Sequence, residues 1–114
     1  MGEACKATGR NSFAQGKSSQ ARGPRDFAHG FLCLADTNAH PEIFLLGNIG
    51  GAHAEGFGTY AYGMFSHAEG GATLASGSGT HAEGSETVAK GWYAHTEGRK
   101  TLGIGKWSHA EGYF

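Results

Sequence analysis

His53-Ala54-Glu55-Gly56 returns at His67, at His81, at His95 (as His95-Thr96-Glu97-Gly98) and at His109, each time 14 residues further on. Five copies without a slip of phase predict a solenoid, in which every repeat is one coil and equivalent residues stack above one another. The glycines halve the period. Gly56, Gly63, Gly70, Gly77, Gly84, Gly91, Gly98, Gly105 and Gly112 lie seven apart, so each coil holds two seven-residue arms. The glycine closing each arm is the residue expected to take the positive φ of a sharp corner. Four or five residues between corners suit a short β-strand and are too few for a helix, so the expected fold is all-β.

Upstream, the same period runs through residues 3–9, 10–16, 17–23 and 24–30, with Ala7, Ala14, Ala21 and Ala28 in the fifth place of each arm. The phase is then lost, because Gly30 and Gly56 are 26 residues apart, which is not a multiple of seven. Two apolar runs, residues 31–35 and 43–46, flank Asp36-Thr37-Asn38-Ala39-His40-Pro41, a segment with good turn chemistry. This predicts an inserted β-hairpin over residues 31–49. Strands apolar on both faces need cover, either from a neighbouring subunit or by folding back over the end of their own roll. The expected organisation is one domain, with N-terminal coils over 1–30, the hairpin, and repeat coils over 50–114.

Composition narrows the function classes. A chain of 114 residues with a formal net charge of −1 gives no electrostatic reason to expect nucleic acid or a membrane as partner. No apolar run approaches the ~20 residues of a membrane helix, and residues 1–10 lack the apolar core of a secretion signal peptide. Cys5 and Cys33 could make one bridge at most and are read as small, buried or half-buried free thiols.

Alternate residues of a strand point to opposite faces. The third place of nearly every arm is Ser, Thr or Ala, and the fifth is nearly always Ala, with Cys5 and Asp26 the larger exceptions at the third. A face that excludes large side chains meets another backbone closely, so it lines a thin, flattened roll. The fourth and sixth places then point away. In one kind of arm they vary among Tyr, Leu, Val, Ser, Lys and Ile, as a solvated surface does. In the other they are His53 and Glu55, His67 and Glu69, His81 and Glu83, His95 and Glu97, His109 and Glu111. An interior of alanine and threonine buries little apolar surface against the entropy of ordering the chain. The roll is therefore expected to associate, with the His and Glu face as its seam. Corners entering the His arms carry Met64-Phe65, Trp92-Tyr93 and Lys106-Trp107, which suggests a second contact with a neighbouring subunit.

These arms resemble the head repeats of trimeric autotransporter adhesins (YadA-like heads), whose 14-residue coils alternate a Ser-Val-Ala-Ile-Gly arm with a more variable one. Ser66-His67-Ala68-Glu69-Gly70 and Ser108-His109-Ala110-Glu111-Gly112 stand in the place of that arm, with His and Glu where the family has Val and Ile. The His-Ala-Glu-Gly form is similar to repeats of bacteriophage tail-fibre and prophage proteins. The resemblance covers residues 3–30 and 50–114. It implies a left-handed parallel β-roll assembled as a homotrimer, forming a structural or adhesive segment of a phage tail fibre or bacterial surface fibre. The implied location is the virion tail or cell surface, and the implied receptor a host-surface carbohydrate or protein, for which Tyr60 and Tyr62 on the variable face are the candidate contacts.

In a three-fold assembly each coil brings three His and three Glu toward the axis. Bare carboxylates stacked at the ~4.8 Å strand spacing repel, so the expected remedy is a His to Glu hydrogen-bond network across subunits. A carboxylate that raised the His pKa would give a contribution present at low pH and lost as pH climbs through the raised value. The alternative is a metal- or ligand-binding trimeric β-roll, with a divalent metal on the three-fold axis held by imidazoles. Otherwise no cofactor is expected. Ser66 and His67 are neighbours on a strand and face opposite sides, and the Gly-x-Gly at residues 77–79 and 103–105 follows from the period, so no enzyme is expected. Ice binding through Thr59, Thr73, Thr87 and Thr101 is disfavoured because those side chains should face inward.

Overall fold

The computed structural model describes residues 2–37 and 50–113, and every structural statement below concerns those residues. They wind into a parallel β-solenoid of seven coils without an α-helix. One sheet is built in order from β1 (Lys6–Ala7), β3 (Gln20–Ala21), β5 (Leu34–Ala35), β7 (Tyr60–Ala61), β9 (Leu74–Ala75), β11 (Val88–Ala89) and β13 (Leu102–Gly103). The other holds β2 (Phe13–Lys17), β4 (Phe27–Phe31), β6 (His53–Phe57), β8 (His67–Gly71), β10 (His81–Ala82), β12 (His95–Thr96) and β14 (His109–Ala110). Register follows the repeat, His53 beside His67, His67 beside His81 and His81 beside His95. The amide of His53 donates to Ser66 O at 2.9 Å and that of His67 to Thr80 O at 2.8 Å, so each coil is bonded to the next.

The interior is the small-residue face. Ala54, Ala61, Ala68, Ala75, Ala82 and Ala89 are fully buried, and the largest fully buried side chains are threonines. At its thinnest the molecule spans 14 Å between Cα atoms. Hydroxyls in this narrow space bond to backbone: Ser66 Oγ donates to Gly63 O and Thr80 Oγ1 to Gly77 O, both at 2.7 Å, and Thr87 Oγ1 to Glu83 O at 3.0 Å. Cys33 is buried and Cys5 half-buried, both as free thiols.

Two expectations are corrected. The glycines that close the His arms do take positive φ, Gly56 (116°), Gly70 (102°), Gly84 (104°), Gly98 (100°) and Gly112 (110°), whereas Gly63, Gly77, Gly91 and Gly105 do not. A further positive φ falls on the second residue of the arm, which is seldom glycine: Phe65 (57°), Ala72 (57°), Glu86 (60°), Tyr93 (59°), Lys100 (58°) and Trp107 (62°). Glycine closes the arm for a further reason, close approach. A Cβ on Gly63 would lie 2.0 Å from Gly77 O although φ is not positive there, and one on Gly70 (φ 102°) would lie 2.1 Å from Gly84 O. In-register stacking sets each corner directly against its equivalent in the next coil, leaving no room for a methyl group.

The second correction concerns the inserted hairpin. Its first expected run, residues 31–35, belongs to the roll: Phe31 pairs with Lys17 and Phe57, and Leu34–Ala35 pairs with both Gln20–Ala21 and Tyr60–Ala61. Cys33 and Ala35 are small at the inward places, so this arm fits the interior although no glycine closes it. Gly30 pairs with Gly56, one 14-residue coil and twelve further residues away. The extra chain therefore falls in residues 38–49, which with the apolar run 43–46 lie outside the described residues.

Asp26, the large exception at an inward place, explains how the roll closes around that insertion. Its buried carboxylate accepts hydrogen bonds from the amides of Gly23 (2.8 Å), Thr37 (3.0 Å) and Ala52 (3.0 Å) and from the Thr37 hydroxyl (3.2 Å). It thereby ties together the chain entering and leaving the insertion. Asp26→Ala leaves these donors buried without an acceptor and should cost about 3 kcal/mol or more in denaturant unfolding. Gly70→Ala should cost at least about 3 kcal/mol, because the methyl group meets backbone. Ala72→Gly, which removes a side chain from the left-handed region, should be neutral or stabilising by up to about 1 kcal/mol.

Candidate functional site: the His and Glu column

Parallel register turns the fourth place of the His arms into one vertical column, Phe13, Phe27, His53, His67, His81, His95 and His109. Successive imidazoles stack with centroids 4.6 to 4.8 Å apart and planes within 10° of parallel. At the N-terminal end Phe27 meets His53 edge-on at 4.6 Å and stacks on Phe13 at 5.0 Å. Beside them runs a second column, in which Gln15, His29, Glu55 and Glu69 are in register.

The two columns interlock. His67 Nε2 lies 3.5 Å from Glu69 Oε2 in its own coil and 3.8 Å from Glu55 Oε1 in the coil before. His81 repeats this with Glu83 (3.5 Å) and Glu69 (3.8 Å), and His95 with Glu97 (3.9 Å) and Glu83 (4.0 Å). At the ends His53 approaches Glu55 at 3.5 Å and His109 approaches Glu111 at 3.7 Å. Glu55, Glu69 and Glu83 thus each reach two imidazoles. These distances exceed those of an N–H···O hydrogen bond, about 2.7–3.2 Å. The Nε2 atoms of His53, His67, His81 and His95 are buried and make no hydrogen bond, although their side chains are 33 to 38 % exposed. Within one chain the pairs are therefore in ion-pair range and short of hydrogen bonding. His and Glu leave the strand two places, about 6.6 Å, apart, and their tips lean together without meeting.

At His53 the pKa change runs opposite to the rise that a neighbouring carboxylate alone would give. Burial and the neighbouring His67 hold it below its ordinary value of 6.5, outweighing the opposite pull of Glu55 and Glu69. Alongside the columns runs an open groove of about 940 Å³, walled by Glu55, Glu69, Glu83, Glu97 and Glu111 and floored by the glycines that follow them.

The remaining candidates fall elsewhere. Tyr60 and Tyr62 project together from the other sheet with rings 6.0 Å apart, and burial raises the Tyr62 hydroxyl above its ordinary 10.0. The inward threonines Thr59, Thr73, Thr87 and Thr101 are buried. Ser66 is buried in the interior, away from the outward His67. On the corner column Phe65, Trp92, Tyr93 and Trp107 are exposed, Trp107 at 74 %, whereas Met64 is buried. Tyr93 stacks on Trp107 at 4.5 Å, and Lys106 Nζ lies 5.0 Å over Trp92. One feature escaped sequence reading: register aligns Leu34, Tyr60, Leu74, Val88 and Leu102 as an apolar stripe on the supposedly variable face. Aligning the arms by coil, across the insertion, would have found it.

The fold and this face define a parallel β-solenoid with one continuous, titratable side. No family model, curated protein or solved structure matches the chain.

A lowered His pKa favours the neutral ring in the folded state, so the unfolded chain binds the extra proton first. His53 should therefore destabilise the fold as pH falls through its unfolded value of about 6.5 and have no effect above it. Melting followed by circular dichroism at pH about 7.5 and about 5.5 should show a drop on acidification that is smaller in His53→Phe, which extends the Phe13 and Phe27 stack.

Proposed function

We propose that the chain is a rigid structural or adhesive segment of a homotrimeric fibre, of the phage tail-fibre or bacterial surface-fibre kind, with the His and Glu face turned toward the neighbouring copies. The observation that carries this reading is the contrast between interior and surface. Inside, the roll packs alanine, serine and threonine, whereas Phe57, Phe65, Trp92, Tyr93, Ile104 and Trp107 are exposed. Apolar burial contributes about 25 cal/mol per Å², so large exposed rings beside a small-residue interior favour association.

A parallel arrangement of copies also suits the repeat. All coils share one pitch, so each His and Glu rung would stand level with its equivalents, and one contact would recur coil by coil. The half-exposed rungs and the open groove beside them leave room for groups from a neighbour. Tyr60 and Tyr62 on the opposite sheet remain outward in such an assembly, where aromatic rings suit a carbohydrate or protein receptor.

Light scattering on the purified chain should give three times the chain mass. Tyr93→Ser combined with Trp107→Ser should lower that mass if the corner is part of the contact. A well-folded monomer at micromolar concentration would overturn the trimeric reading.

A further inference from the structure

We infer that the His and Glu column is a repeated binding site for divalent transition-metal ions, each held by one imidazole and the two carboxylates that flank it, all from a single chain. The ligand groups are His67 with Glu55 and Glu69, His81 with Glu69 and Glu83, and His95 with Glu83 and Glu97.

The spacing of the ligand atoms favours coordination over hydrogen bonding. Ligand atoms bound to one tetrahedral ion at about 2.0–2.2 Å stand about 3.3 Å from one another, whereas a charge-assisted hydrogen bond would draw them to about 2.7–2.9 Å. The observed 3.5 to 3.8 Å at His67 and His81 is nearer the first figure. Ligand atoms mutually within 4.8 Å form sets of one imidazole and two carboxylates at His95 (with Glu83 and Glu97) and at His109 (with Glu97 and Glu111), and sets of two imidazoles and one carboxylate lower in the column, His53 with Glu55 and His67, and His67 with Glu69 and His81. The ring nitrogens point the same way. Nε2 of His67, His81 and His95 is buried without a hydrogen-bond partner, the state of an acceptor lone pair that lacks its electrophile.

Ring orientation fixes how the ligands divide. Rings stacked 4.8 Å apart, with planes 3° and 4° from parallel, send their in-plane lone pairs side by side. An ion midway between two such rings would lie out of both planes, so two stacked imidazoles cannot share one. The carboxylates can be shared: Glu69 turns Oε2 toward His67 and Oε1 toward His81, the geometry of a bridge between ions in successive coils. Coordination requires a neutral imidazole with its proton on Nδ1. Mixed nitrogen and oxygen donors suit zinc, nickel, cobalt or iron better than calcium or magnesium. The column contains no lysine or arginine, so ions would also relieve repulsion among its five carboxylates. This assignment differs from a metal on a three-fold axis and does not depend on how many copies assemble.

The test is calorimetric titration of the full chain, made without a polyhistidine tag, with Zn²⁺ near neutral pH, alongside visible absorption of the Co²⁺ form. More than one ion per chain should bind, and the cobalt spectrum should report nitrogen and oxygen ligation. Glu69→Gln with Glu83→Gln should weaken binding by at least about tenfold, the loss known from removing even an outer-shell partner of a metal site. Glu86→Gln, an exposed carboxylate outside the column, should bind as the parent does. Absence of binding to the parent chain, or equal affinity in the double variant, overturns the inference. Should the double variant fail to fold, the parent's stoichiometry and cobalt spectrum decide: one ion or none per chain, or a spectrum without nitrogen ligation, overturns it. Light scattering with and without chelator separates this result from the trimer, since either can fail while the other holds.

Discussion

Backbone meeting backbone is the constraint from which the rest of the structure follows. Coils stack in register through parallel ladders, and at the corners that close each arm the chains approach until a single methyl group would overlap a carbonyl oxygen, as at Gly63 and Gly70. Such an approach admits glycine at the corner and alanine, serine or threonine inside, and it repeats the restriction every seven residues. Specificity at the interior is therefore steric and periodic. Shape is set by what cannot fit, and little apolar area is gained in setting it.

Much of this was legible in the sequence because steric exclusion leaves a periodic trace. The spacing of His53, His67 and His81 gave the coil length, and the run of small residues at the third and fifth places gave the inward face. What stayed hidden concerns interactions that the period does not encode. Phe31 to Ala35 looked like a hairpin arm because no glycine closes it, yet its inward residues, Cys33 and Ala35, obey the interior rule. Asp26 looked like a lapse in the pattern. Its function is set by Thr37 and Ala52, which are joined to it only when the chain folds around residues 38–49. The left-handed residue at the second place of the arm leaves no trace in the sequence, since Phe65, Ala72 and Lys100 can occupy it, whereas at Gly56 and Gly70 positive φ and close approach select the same residue.

The candidate site was legible as a set of residues, and its geometry was not. Five His and Glu pairs on one face follow from strand alternation alone. Strand alternation does not say that each carboxylate stands between two imidazoles, that the rings stack plane on plane, or that their tips stop beyond hydrogen-bond distance. Nor does it give the sign of the perturbation at His53. A carboxylate nearby suggests a raised pKa, but burial and a second imidazole act the other way and prevail. At His53 the stacking that aligns the column sets the ring beside His67, a potential like charge.

The change in the column from Phe13 and Phe27 to His53 and its successors bears on register between copies in the proposed assembly. A face of identical rungs is degenerate, since a shift by one coil puts His against His again and loses only the terminal contacts. Two phenylalanine rungs at one end break that degeneracy, because a one-coil slip would set Phe27 of one copy level with His53 of another. Apolar rungs at the N-terminal end would thus fix the alignment, and polar rungs would extend it. Polar rungs carry the same information at smaller hydrophobic gain, which leaves their nitrogen and oxygen atoms available for ions or for groups from neighbouring chains.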